Sequence, residues 1–206
     1  MEEYKTVERE ASDFFIEKKS RFIGYVKPVS SQDEAVAFIN SIKSKHWDAT
    51  HNAYAYVLRE NNIQRYSDDG EPGGTAGVPV LDVILKAGVT DVCVVATRYF
   101  GGTLLGAGGL VRAYSHTSKI ALEAGQIITM AQCSVCEAEV DYSFYECLTS
   151  LLSEFGANIS DIDFSDKVRV AFSVKENLSE YLSERLTDIS NGKYTMKITA
   201  EKFDKA

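Results

Sequence analysis

The sequence predicts an α+β protein of two domains, on the basis of three observations. The chain has 206 residues, of which 45% are hydrophobic, and this is enough to fill two cores of unequal size. Apolar residues recur at intervals of three and four in some segments and alternate in others, so both helices and strands are expected. The last third of the chain repeats the order strand, helix, strand. We therefore predict an N-terminal domain over residues 1–131 and a C-terminal domain over residues 132–206.

The N-terminal domain is predicted to combine strands with three helices. Ser31 and Glu34 have the spacing of a capping box, and the apolar residues that follow them recur with a helical period. The second helix carries its apolar stripe from residue 80, and the third covers residues 108–124. Gly88 and Gly125 are expected to end these two helices, since glycine suits a C-terminal cap. The predicted strands cover residues 4–11, 14–16, 22–29, 53–58 and 92–96.

The C-terminal domain is predicted to be a ferredoxin-like βαββαβ unit. Two helical stripes, over residues 144–155 and 178–189, each lie between strands in which apolar and polar residues alternate. A bulge is expected in the strand at residues 159–164, where the alternation changes phase. Strands and helices in this order are typical of the ferredoxin-like arrangement. The predicted strands cover residues 135–142, 159–164, 168–175 and 194–199.

The charge of the chain restricts the ligands that it can bind. The formal charge is −8, from 22 Lys and Arg against 30 Asp and Glu, so a protein that coats nucleic acid or anionic membrane with its whole surface is excluded. Any contact with a polyanion must be local. The N-terminus lacks the basic start and apolar run of a signal peptide, and no apolar stretch is long enough to span a bilayer. We expect a cytoplasmic protein without membrane contact.

Cys136 is interpreted as a core residue rather than a metal or redox ligand. Only Cys133 and Cys136 have the spacing of a metal or redox pair, and a tetrahedral zinc site would need two further ligands at comparable spacing. The three histidines lie upstream without a matching pattern. Cys136 opens an alternation typical of a half-buried strand, in which a cysteine acts as a small apolar residue.

Glycine clustering directs the search for a functional site. Ten of the fourteen glycines lie between Gly70 and Gly109. The first cluster, residues 66–77, joins a strand to a helix through acidic residues and glycines. It is either a long turn or a site where Asp68, Asp69 and Glu71 offer oxygen ligands to Mg²⁺, and we favour the turn.

The second cluster, residues 97–115, leaves a buried strand, turns on paired glycines and enters a helix. Backbone without side chains at a helix N-terminus can approach a phosphate group. No acid occurs between Asp91 and Glu123, so the three cations give this stretch a local charge of +3, with aromatic residues interleaved. We expect the ligand to contact Arg98, Tyr99, Gly101, Gly102, Gly106, Gly108, Gly109, Arg112 and Lys119. The alternative is that the glycines permit tight packing and that Arg98 pairs with Asp68 or Asp69.

Residues 66–77 and 97–114 together resemble the signature of the IMPACT (YigZ) family, and the chain resembles its short bacterial members. The resemblance implies an N-terminal domain similar to the second domain of a small-subunit ribosomal protein. It also implies a C-terminal domain similar to the fifth domain of elongation factor G. Eukaryotic members regulate translation by competing for the activator of a kinase that acts on a translation initiation factor. They also carry a further N-terminal domain.

Three functions are compatible with these patterns. The first is a translation-linked regulatory protein that binds RNA or the ribosome without turnover and without a cofactor; its C-terminal domain, with 8 bases against 14 acids, suits a protein partner. The second is a Mg²⁺-dependent phosphate-handling enzyme, in which Asp68, Asp69 and Glu71 hold the metal and His51 is the candidate base. The third is a protein-interaction module that works through the C-terminal sheet.

Overall fold

The computed structural model describes residues 3–205 and divides into two compact units. One unit is Tyr4–Ile128, and the other contains Glu3 and the chain from Thr129 onward. The division falls inside a single strand, Ile127–Val140, and the predicted boundary after residue 131 lies in the same strand. No helix among residues 3–205 has the length and apolarity that crossing a bilayer requires.

The first unit is built on an antiparallel five-stranded sheet with the order β2-β3-β6-β4-β5. The predicted strand over residues 4–11 is wrong as one element: a break after Val7 separates β1 from β2, and the predicted strand at 14–16 is part of β2. The short, polar strand β5 was not predicted. The strands are β1 Tyr4–Val7, β2 Ala11–Glu17, β3 Ser20–Pro28, β4 His51–Leu58, β5 Ile63–Ser67 and β6 Val92–Tyr99.

Helices cover both faces of this sheet. Helix α1, Gln32–Lys45, packs on one face with a buried cluster that includes Tyr25 and Val95. Helices α2, Gly77–Ala87, and α3, Ala107–Gly125, pack on the other face. Because successive residues of a strand point to opposite faces, the three central strands, β3, β6 and β4, contribute to both cores.

The helix caps agree with the sequence in part. The Oγ of Ser31 accepts a hydrogen bond from the backbone N–H of Glu34 at 3.2 Å, as predicted, but the carboxylate of Glu34 accepts from the backbone N–H of Ser30. Gly88 caps α2 with a φ of 65°. The prediction for Gly125 needs correction, since the left-handed residue after α3 is Gln126, with a φ of 59°. A Cβ at Gly125 would lie 2.7 Å from a methyl carbon of Val26, so this glycine permits close packing.

The second unit has the predicted order βαββαβ. In its sheet β7 pairs with both β10 and β9, and β9 pairs with β8, all antiparallel; the register shifts between Ile159 and Asp161, where a bulge was predicted. Cys136 lies in the core beneath the helices, where burial raises the pKa of its thiol to about 11. The elements are β7 Ile127–Val140, α4 Tyr145–Glu154, β8 Asn158–Phe164, β9 Val168–Lys175, α5 Glu176–Ile189 and β10 Met196–Lys205.

Candidate functional site

Three connecting segments of the first unit meet at one end of its sheet. They are the turn between β2 and β3, the segment between α1 and β4, and the glycine-rich loop that follows β6. The N–H of Gly101 donates to the Oγ of Ser20 at 3.1 Å, and the N–H of Phe100 donates to the Oγ1 of Thr50 at 3.0 Å. The residues of the second glycine cluster are therefore held against segments that precede them by fifty residues or more.

A buried polar network lies beside this loop. The Oε1 of Glu71 accepts from the guanidinium of Arg98 at 2.7 Å and from the hydroxyl of Tyr114 at 2.8 Å. The side chains of Arg98 and Glu71 are only 6% and 3% exposed. Burial, and then the nearby carboxylate of Glu71, raise the pKa of Tyr114, so its hydroxyl stays protonated and donates. The proposed pairing of Arg98 with Asp68 or Asp69 is wrong, because its partner is Glu71.

Arg98 is enclosed by aromatic rings as well as by its counterion. Its guanidinium carbon lies 5.6 Å from the ring centroid of Phe22 and 5.4 Å from that of Phe100. Its Nε has no hydrogen-bond partner among the described residues. Arg98 therefore holds the loop in place from the protein interior. Its positive charge is largely neutralised there by its carboxylate partner.

His51 borders the same network. Its Nδ1 donates to the backbone carbonyl of Asp69 at 2.8 Å, and its Nε2 lies 3.9 Å from the Oε2 of Glu71. The carbonyl thus fixes the Nδ1 proton, and Nε2 faces the carboxylate of Glu71.

The acidic loop, residues 66–77, is held by its own carboxylates. Asp68 accepts from the backbone N–H groups of Gly74, Ala76 and Gly77 at 2.8 to 3.0 Å. Burial acts to raise the pKa of Asp68, but these three hydrogen bonds outweigh it and lower the pKa. Asp69 accepts from the Nζ of Lys43 and from a backbone N–H, each at 2.6 Å.

Five of the six carboxylate oxygens that Mg²⁺ would need therefore already accept hydrogen bonds from protein groups, and the sixth, the Oε2 of Glu71, lies 3.9 Å from the Nε2 of His51. Each of the three carboxylates accepts from its own set of donors, so no common centre is formed by Asp68, Asp69 and Glu71. Within residues 3–205, no cluster of three or more His, Cys, Asp or Glu side chains is arranged to hold a metal ion. These bonds support the interpretation of the loop as a long turn.

Replacing Asp68 with Asn should lower stability at neutral pH by about 1–2 kcal/mol, because an amide oxygen is a weaker acceptor than a carboxylate. The folded-state pKa of Asp68 is lowered, so its stabilisation is complete above the usual value of about 3.9 and disappears as the pH falls through the folded-state value. Melting curves of wild type and Asp68→Asn should differ at neutral pH and converge in acid. Asp82→Asn, on the exposed side of α2, is the control and should follow wild type; a gap for Asp68→Asn that persists in acid would contradict this role.

The glycines of the second cluster have different structural roles. A Cβ at Gly101 would overlap the backbone carbonyl of Lys19, so the turn between β2 and β3 can pack here only against glycine. Gly106 precedes the first turn of α3 with a φ of 73°, in the left-handed region that glycine adopts without strain. A Cβ at Gly108 would meet nothing within 4 Å, so packing does not explain the glycine at this position.

A cavity of about 290 Å³ lies between α3 and the turn after β2, and we call it the basic groove. Its lining includes Phe15, Glu17, Lys18, Leu105, Gly109, Arg112 and His116. Lys18 was not predicted as a site residue. It reaches the groove because Lys18 and Lys19 form a two-residue hairpin turn with φ values of 45° and 67°, where glycine or asparagine is usual. A lysine in the left-handed backbone conformation is strained, and strained backbone is common at functional sites.

The predicted binding residues thus divide into separate groups. Arg112 and Lys119 are exposed on α3, but only Arg112 lines the basic groove, and Lys119 lies 3.8 Å from the carboxylate of Glu123. Arg98 is buried in the polar network. Tyr99 points to the opposite face of the sheet, where its hydroxyl donates to Asp48 at 3.0 Å.

The fold and this site define a two-domain α+β protein whose first domain has a basic groove beside a glycine-rich loop. Residues 18–122 match the family model of the Impact N-terminal domain, and residues 139–193 match a domain of unknown function, DUF1949. The chain belongs to the IMPACT family, which confirms the resemblance of its two glycine-rich segments to the family signature.

Similar proteins extend along most of the chain. The IMPACT family member YvyE of Bacillus subtilis (strain 168) is 40% identical over 195 residues, which are 94% of this chain and 90% of that protein. The IMPACT family member YigZ of Escherichia coli (strain K12) is 33% identical and covers 85% of this chain and 87% of that protein. The protein IMPACT homolog of Dictyostelium discoideum is 37% identical, over 58% of this chain and 35% of that protein. A crystal structure of a hypothetical protein, 29% identical, covers 98% of this chain and 100% of that chain with a TM-score of 0.61.

Proposed function

We propose that this chain is a translation-linked regulatory protein of the cytoplasm that binds RNA or the ribosome through the basic groove, without turnover. The observation that carries the proposal is a groove lined by two cations, Lys18 and Arg112, against one acid, Glu17, in a protein with a net charge of −8. A concentrated local charge on an acidic protein selects an anionic ligand at one place on its surface.

The geometry of the groove favours a phosphate-bearing strand as the ligand. Gly109 lies in the first turn of α3, where backbone N–H groups have no partner within the helix and the helix dipole attracts anions. The apolar lining, which includes Phe15 and Leu105, is suited to a sugar or a base beside the phosphate. Arg112 is the residue expected to contact the phosphate, and Arg98 would act indirectly through the position of the loop.

The family supplies the link to translation. The resemblance implies a first domain similar to the second domain of a small-subunit ribosomal protein and a second domain similar to the fifth domain of elongation factor G. Relatives in eukaryotes carry the name protein IMPACT. A protein partner would be bound through the acidic C-terminal domain, in whose sheet β10 pairs with β7 and β8 pairs with β9. The Mg²⁺-dependent enzyme is less well supported, since its proposed ligands are engaged in loop contacts.

Replacing Arg112 with Gln should weaken the binding of single-stranded RNA and reduce its dependence on salt. Each phosphate contact with a single strand contributes about 0.7 to the slope of log affinity against log salt concentration, so the loss of one contact should lower the slope by about that amount. The measurement is fluorescence anisotropy of a labelled oligouridylate across a salt series. Lys18→Gln should behave in the same way.

Lys86→Gln is the matched control, because Lys86 is an exposed cation on α2 outside the basic groove. It removes the same charge and should leave the salt slope at the wild-type value. Melting temperatures of all variants confirm that they are folded. Equal slopes for Arg112→Gln, Lys86→Gln and wild type would mean that the groove does not contact phosphate.

A further inference from the structure

Helix α1 covers only part of its face of the sheet. The part near the end where the three connecting segments meet is left uncovered. Phe14 and Ile16 of the outermost strand, β2, are 53% and 65% exposed, and Trp47, which follows α1, is 83% exposed. Arg21 and Tyr99 lie beside them on this face. We call these five residues the aromatic face.

The strand register makes the aromatic face continuous. Ile16 is paired with Arg21, and Arg21 is paired with Tyr99, so one residue from each of β2, β3 and β6 lies in a row across the sheet. The guanidinium carbon of Arg21 lies 4.8 Å from the ring centroid of Phe14. The row therefore alternates apolar and aromatic groups with a cation.

Trp47 is held at the end of this row by both of its neighbours in the chain. The Nδ1 of His46 is 2.9 Å from the hydroxyl of Tyr99, which in turn donates to the Oδ1 of Asp48 at 3.0 Å. Both residues that flank Trp47 are thus bonded to the tyrosine of the row, which anchors the chain at this point, and the side chain of Trp47 is open to solvent.

Cations outnumber acids around the aromatic face. Lys45 lies 4.9 Å from the ring centroid of Tyr25, next to His46, and Arg21 lies on the row itself. Asp48 is the acid that contacts the row. The pKa of His46 is lowered, first by burial and then by Lys45, while Asp48 acts to raise it and Arg21 adds a smaller lowering effect, so both cations act on this region. On a protein with a charge of −8, this surface is again locally basic.

Exposed aromatic groups next to cations are the two parts of a surface for single-stranded nucleic acid. Bases stack on aromatic side chains regardless of sequence, and arginine or lysine between them pairs with the phosphates. A surface for a protein partner would not need cations such as Arg21 and Lys45 beside aromatic rings. An apolar patch left exposed on a folded domain also indicates a binding role.

We propose that the aromatic face binds unpaired bases of RNA by stacking, with Arg21 and Lys45 in contact with the phosphates. This inference rests on the proposed function in that the ligand is RNA, but it uses the opposite face of the sheet from the basic groove. Arg98 and Tyr99 are successive residues of β6 and point to the two faces. A single strand that crosses the end of the sheet, past the turn at Lys18 and Lys19, could reach both surfaces.

The chain carries its own reporter, since Trp47 is its single tryptophan. Adding oligouridylate to the full chain should quench the fluorescence of Trp47, because a stacked base quenches an indole. RNA duplex of the same length should quench it much less, since its bases are already paired. Phe14→Ala should weaken the binding of oligouridylate about 5-fold to 150-fold, the range for the loss of one stacked base.

Tyr66→Ala is the matched control, because Tyr66 is 51% exposed on β5, away from the aromatic face. It should bind oligouridylate as wild type does, and melting temperatures should show that both variants are folded. Unchanged Trp47 fluorescence at saturating RNA, together with wild-type affinity of Phe14→Ala, would overturn the proposal and would leave that face to another partner.

The proposals for the basic groove and for the aromatic face can be refuted separately. If Arg112→Gln lowers the salt slope while Phe14→Ala has no effect, the basic groove is supported and the aromatic face is refuted. If Phe14→Ala weakens binding and Trp47 is quenched while Arg112→Gln keeps the wild-type slope, the aromatic face is supported and the groove is refuted. If no RNA binds to the wild-type chain at low salt, both are refuted.

Discussion

Replacing Glu71 with Ala should destabilise the first unit by about 3–5 kcal/mol, which is the usual cost of removing one partner of a buried ion pair. Arg98 would stay buried with an uncompensated charge, since its side chain is 6% exposed and its guanidinium donates to Glu71 at 2.7 Å. The hydroxyl of Tyr114 would lose its acceptor at the same time. Urea unfolding of the full chain, followed by circular dichroism, measures the change.

A matched variant separates the cost of leaving Arg98 unpaired from the net contribution of the network to the free energy of unfolding. The triple variant Glu71→Leu, Arg98→Met, Tyr114→Phe removes every charge and hydroxyl of the network together. Because apolar residues of similar volume often replace a buried ion pair without loss, it should recover most of the stability lost in Glu71→Ala. A cost below about 1 kcal/mol for Glu71→Ala would mean that water reaches Arg98 and that the network is open to solvent.

The network also changes the electrostatics of the glycine-rich segment. From the sequence, three cations between Asp91 and Glu123 gave this stretch a charge of +3. One of them, Arg98, is neutralised inside the protein, and another, Lys119, lies near Glu123. Arg112 is left as the cation of this stretch that lines the groove, and Lys18 from another part of the chain supplies the second.

Local features of the fold could be predicted because they depend on neighbouring residues. Helix α1 follows from apolar spacing, and the cap at Ser31 follows from its distance to Glu34. The βαββαβ order of the second unit follows from two helical stripes between alternating strands. Strand β5 was missed because only Ile63 of its five residues is a large aliphatic residue, so the period-two pattern is weak.

The candidate site could be predicted only in part, since its contacts are far apart in sequence. Arg98 and Glu71 are 27 positions apart, and Ser20 and Gly101 are 81 positions apart. No spacing rule indicates that an arginine beside a glycine turn will face inward. The aromatic face could not be predicted from the sequence either, because Phe14 and Ile16 resemble core residues until the position of α1 is known.

Replacing Gly101 with Ala should destabilise the first unit by about 3 kcal/mol or more, beyond the usual range for overpacked sites. The new Cβ would overlap the backbone carbonyl of Lys19, and backbone cannot move aside as a flexible side chain can. The turn between β2 and β3 would have to separate from the glycine-rich loop, which would also break the hydrogen bond from the N–H of Gly101 to Ser20. Urea unfolding of the full chain gives the free-energy change.

Gly108→Ala is the matched substitution in the same loop-to-helix segment. Its Cβ would meet nothing within 4 Å, and alanine favours a helix over glycine by up to about 1 kcal/mol, so stability should be unchanged or higher. If the backbone at the start of α3 approaches a phosphate, Gly108→Ala should nevertheless weaken the binding of oligouridylate. Loss of stability in Gly101→Ala and loss of affinity in Gly108→Ala would separate packing from binding within one segment. Wild-type affinity of Gly108→Ala would instead limit the phosphate contact to the side chains of Arg112 and Lys18.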